Sequence, residues 1–213
     1  GYSIHYFLSG IHSSHVFNVN HLLRRHNIKS KDLRAIIEKL DNKQKKAYDY
    51  KLLERLYVEH FDREIDDKKS LEDLSAKLRD REILLLVPGK TLSSQKDKVE
   101  YFIQSKNPIV IFVNNYISKF RSDYIFFSGV NRYQDFINGE DVNSSEAKIL
   151  LTSNIKSEAN LNEMIFNYLP LVKFGWINVD SSAILLLRLL IKLGIKRVFF
   201  AGFDGFSGES DSN

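Results

Sequence analysis

The stretch REILLLVPGKTLSSQ, residues 81–95, gathers several residues able to do chemistry. Five apolar residues, Ile83 to Val87, empty into Pro88-Gly89-Lys90-Thr91, and a polar, helix-like segment follows. A strand that ends in a glycine turn and opens a helix offers free backbone amides and the positive end of a dipole, which suit phosphate. Gly89 permits close backbone approach, Lys90 adds an ammonium, and Thr91 and Ser93 add hydroxyls. The turn is not a Walker A loop, which needs a glycine where Leu84 stands, nor a G-x-G-x-x-G turn. Two readings remain: a degenerate phosphate-facing turn, which we favour, and a plain glycine turn with a serine N-cap.

The same question applies wherever an apolar run closes, because open parallel sheets bind ligands beyond the carboxyl ends of their strands. The second run ends in Asn114-Asn115, the third in Ser128-Gly129-Val130-Asn131-Arg132, and the fourth in Thr152-Ser153-Asn154. Asparagines there can hydrogen-bond a base, ribose or sugar, or can serve as turn residues that tolerate left-handed backbone. Arg132 carries a guanidinium fork that matches phosphate. In the last unit, Asp180 or Ser181 caps an apolar helix, and Asp204 follows the final strand. Asp204 is the candidate catalytic residue, as a general base, a metal carboxylate or a ribose ligand; the alternative is a turn aspartate capping local amides. Five of the six histidines fall within the first 26 residues. His12 and His15 have a spacing that suits metal on a helix. No acidic residue occurs among residues 1–31, so they read as structural, and no metal site is expected.

Two kinds of sequence position these residues. Residues 2 to about 80 hold no proline and one glycine, and their apolar residues recur at helical spacing. Ser30 reads as an N-cap ahead of the Leu33, Ile36, Ile37, Leu40 stripe, Leu52 to Ile65 as an amphipathic helix, and Ser70-Leu71-Glu72-Asp73 as the start of another. After Asp80 come short apolar runs rich in Ile, Val and Phe, at EILLLV, NPIVIFVNN, SDYIFFSG, AKILLTSN and IKRVFFAGFDG. Runs without polar alternation indicate strands covered on both faces. Helices are expected at Ser93–Ser105, Asn131–Ile137, Ser157–Tyr168 and Ser181–Leu193, with a loop at Asn138–Ser145. The expectation is an α/β protein: a helical linker or assembly region over 1–80, then a three-layer, mostly parallel Rossmann-like αβα domain over 81–213.

Composition narrows the function classes. With 213 residues, 43% hydrophobic and 27% charged, the chain can bury an ordinary core. It has no cysteine, which excludes disulfides and thiol chemistry and fits a reducing cytoplasm. Net charge is +4; residues 1–80 carry 16 basic and 13 acidic side chains, the rest 15 and 14. Neither part has the concentrated basic face of a nucleic-acid binder, and no apolar run reaches the roughly 18 residues of a membrane span. The start at Gly1, without Met or signal peptide, and the abrupt end GFDGFSGESDSN lead us to expect a C-terminal piece of a longer cytoplasmic protein.

Two family resemblances follow. YSIHYFLSGIHSSHVFNVNHLL resembles the segment after the barrel in aldolases of the 4-hydroxy-2-oxovalerate aldolase and HMG-CoA lyase-like group, over residues 2–65. There a helical region extends from the barrel and contributes to assembly. The resemblance implies a lyase barrel elsewhere in the same chain as partner, and self-association through the helices. None of that family's active residues falls in this sequence. Residues 82–207 resemble the Rossmann-type domains of motility-associated and sialyltransferase-like glycosyltransferases and pterin diphosphokinase-like proteins. Those open with a G-x-G-P-S-L turn facing a nucleotide. Here Gly89 stands for the second glycine, Thr91 for the serine, and Leu92 matches, while Val87 and Lys90 replace the first glycine and the proline. Asn114 falls on the asparagine after the second strand, and LGIKRVFFAGFDGFS matches the closing helix–strand unit.

The sequence therefore predicts a fragment of an aldolase-like enzyme, in sugar or surface-polysaccharide metabolism, whose α/β part binds a nucleotide or nucleotide-sugar. The expected ligand set is Gly89, Lys90, Thr91, Asn114, Ser128, Asn131, Arg132, Asp180 and Asp204. The alternatives are a non-catalytic interaction or regulatory module and a glycosyltransferase-like domain active in its own right.

Overall fold

The structure is a computed structural model that describes residues 65–117, 119–139, 146–157, 162–172 and 181–204. The chain divides into two units, Gly1–Arg63 with Lys173–Asn178, and Glu64–Val172 with Val179–Asn213; every described residue belongs to the second. The helices expected before Glu64, all six histidines and Asp180 lie outside the described residues.

Continuous apolar runs become strands buried on both faces. β1 (Ile83–Leu86), β2 (Ile109–Val113) and β3 (Tyr124–Phe127) are buried at every position, and β4 (Lys148–Thr152) at all but its first. With β5 (Glu163–Phe166) and β6 (Val198–Ala201) they form one six-stranded sheet in the order β5-β4-β3-β2-β1-β6. All five pairings are parallel. Helices cover both faces, as a buried parallel sheet requires. On one face lie α1 (Lys68–Leu78), through Leu74 and Leu78, and α5 (Ser182–Lys192), through Ala183, Leu185, Leu186, Leu189 and Leu190. These pack on Ile83, Leu85, Ile111 and Phe126. On the other face lie α2 (Lys90–Ser94), α3 (Lys96–Lys106) and α4 (Val130–Ile137). Their Leu92, Val99, Ile103, Tyr133 and Phe136 meet Leu84, Phe112, Ile125 and Phe127. The three-layer, all-parallel Rossmann-like architecture is as the sequence implies.

Three local expectations are corrected. The helix expected over Ser93–Ser105 starts earlier, at Lys90 with Gly89 as N-cap, and breaks at Gln95 into α2 and α3. Ser157–Tyr168 is not a helix in its described part: Glu163–Phe166 is the edge strand β5, and a 3-10 turn follows at Leu169–Leu171. The spacing of Leu161, Met164, Ile165 and Tyr168 imitates a helix, but sheet pairing with β4 outweighs so weak a local pattern. The helix expected to start at Ser70 begins at Lys68, with Asp67 at its N-cap. The buried Asp67 carboxylate accepts from the Asn167 backbone amide (2.9 Å), and the Asn167 side chain bonds both the amide and the carbonyl of Ile65. The entrance to α1 is thereby tied to the chain beyond β5.

Strand order locates the place where open parallel sheets ordinarily hold ligands. From β1 to β5 the chain steps steadily outward on one side, then α5 returns it across the opposite face to β6, on the other side of β1. The direction therefore reverses at β1, so the switch crevice lies beyond the carboxyl ends of β1 and β6. Among the described residues no helix is long and apolar enough to cross a membrane.

Candidate functional site

Every described candidate lies on the carboxyl edge of the sheet, in two clusters. The first spans the switch crevice. Val87 passes from β1 into a tight turn in which the Gly89 amide bonds the Val87 carbonyl (2.8 Å). Gly89 has φ −95°, ordinary for any residue, so its lack of a side chain matters for space alone. A Cβ there would overlap the Gly202 carbonyl oxygen and the Asp204 carboxylate. Gly202 combines a positive φ of 74° with contact against the Val87 carbonyl. The two glycines thus let the loops after β1 and β6 touch, and Asp204 completes the join. Its Oδ2 accepts from the Thr91 amide (2.7 Å), and its Oδ1 from the Thr91 hydroxyl. The Thr91 hydroxyl, and then its amide, hold the Asp204 carboxyl below the usual aspartate range. Asp204 here caps α2, whose N-cap, Gly89, has no side chain to do so. Lys90, in the first turn of α2, points to solvent.

The second cluster lies beyond β2, β3 and β4. Asn114 ends β2 in left-handed backbone, φ 54°, a conformation asparagine tolerates. Its Nδ2 donates to the Ser182 hydroxyl (2.5 Å), and its Oδ1 accepts from the Ser128 amide (3.3 Å). The Ser128 hydroxyl, buried at the end of β3, donates to the same Ser182 oxygen (2.6 Å). With two bonds accepted, Ser182 keeps its own proton to donate. Asn154, after β4, donates to the Ser128 carbonyl (3.1 Å), while its Oδ1 is buried with no partner among the described residues. A buried acceptor of that kind is ordinarily met by an ordered water or another donor. Ser182 is the first residue of α5, whose N-cap, Ser181, makes no side-chain capping bond. Backbone amides of the helix start therefore adjoin a neutral group of two amides and two hydroxyls.

Asn131 and Arg132 lie in the first turn of α4, both exposed on the rim of this edge. Of the expected ligand set, Gly89, Lys90, Thr91 and Asp204 come together at the first cluster, and Asn114 and Ser128 at the second. Asn131 and Arg132 flank the second without a side-chain bond into it, and Asp180 lies outside the described residues. Ser182 is the residue that sequence reasoning missed. The signal was a second serine directly behind an expected cap, in a helix that must begin on the ligand edge. An open depression of about 630 Å³ also lies at the start of α1, but Asp66, Asp67 and Glu72 line it, which disfavours an anion. Among the described residues no group of three or more His, Cys, Asp or Glu is arranged to hold a metal.

The chain matches no protein family, no curated protein and no solved structure. The resemblances to the aldolases and glycosyltransferases are carried by the quoted residues alone.

Proposed function

We propose that the α/β unit binds a nucleotide or nucleotide-sugar on the carboxyl edge of its sheet, centred on Asn114, Ser128 and Ser182. The observation that carries this reading is the hydrogen-bonded cluster these side chains form at the start of α5, where the N-cap Ser181 makes no side-chain capping bond. Neutral amides and hydroxyls suit ribose or sugar hydroxyls, and helix-start amides suit a phosphate. Charge supports an anion. Lys90 and Arg132 occupy first turns of α2 and α4, neither of which holds an acidic residue there. A cation in that position opposes the helix dipole, a small cost that an anionic ligand offsets. In this reading the Thr91–Asp204 pair is a structural clasp, and Asp204, already engaged, is not the base. A role within an aldolase-like enzyme of sugar or polysaccharide metabolism rests only on the likeness of residues 2–65.

The experiment is a melting screen with CMP, UDP, GDP, ATP and their sugar conjugates. A ligand present at 100 times its dissociation constant adds about 2.7 kcal/mol and raises the melting temperature. One base class should produce that shift. No shift with any of them overturns the reading in favour of an interaction module.

A further inference from the structure

We draw no further inference here: the strongest candidate, the outer edge of the terminal strand β6 with its part-exposed Phe199 and Phe200, is an apolar edge unpartnered among the described residues, and nothing in the structure shows what covers it.

Discussion

Thr91 and Asp204 stand 113 positions apart in sequence, yet one carboxylate satisfies both the amide and the hydroxyl of the threonine. Because that pairing lowers the Asp204 pKa, the carboxylate contributes stability above its unfolded pKa and loses it as pH falls through the folded value. Asp204→Ala should therefore be less stable than the wild type at neutral pH. The gap should narrow as pH drops below about 4, the ordinary aspartate range. Urea melts of both proteins across that range check this, and a gap independent of pH would rule out the charged clasp. The partnership was not legible in the sequence, where Asp204 and Thr91 each looked like ligand residues. Nothing local in either stretch reveals that the two loops meet, and the need for Gly89 becomes evident only against Gly202.

Helix α5 shows how an element serves both the core and the site. Its buried stripe, Leu185, Leu186, Leu189 and Leu190, seats it on the sheet, and that seating brings Ser182 to the ends of β2 and β3. Leu186 is fully buried, whereas Ile191 is 70% exposed. Leu186→Ala should cost about 2–5 kcal/mol, and Ile191→Ala within about 0.5 kcal/mol, by chemical denaturation. Equal losses would mean that the helix packs differently. At the start of α4, Arg132→Glu should stabilise the protein by about 0.3–1 kcal/mol, since an acid there complements the dipole. The same change should weaken the binding of a phosphate-bearing ligand. Melting with and without ligand separates the two effects, and a variant that gains stability and keeps its affinity would remove Arg132 from the site. Element identity was legible where burial was uniform: β1 to β4 are continuous apolar runs covered on both faces, and Gly194, at φ 77°, ends α5 as its sequence implies. β5 was not legible, because an edge strand of four residues, Glu163-Met164-Ile165-Phe166, the first three only half-buried, carries too little pattern of its own.

At the scale of the molecule, an all-parallel sheet sends α2, α4 and α5 off or back at the same edge, so their positive ends converge there. The order β5-β4-β3-β2-β1-β6 puts the switch at β1, where a ligand is ordinarily held, and there the Gly89–Gly202 contact and the Asp204 clasp join the loops after β1 and β6. The polar groups that remain lie beside it, on Asn114, Ser128, Asn154 and Ser182. The choice between the two clusters is the central claim, and titration calorimetry tests it most directly. The nucleotide found by the melting screen is titrated into the wild type, Asn114→Ala, Ser182→Ala and Thr91→Val, each first shown by circular dichroism to be folded. Loss of one hydrogen bond should weaken binding by about tenfold in Asn114→Ala and in Ser182→Ala, while Thr91→Val should bind as the wild type does. Affinity lost in Thr91→Val but intact in the other two would place the ligand at the β1 turn and contradict the account.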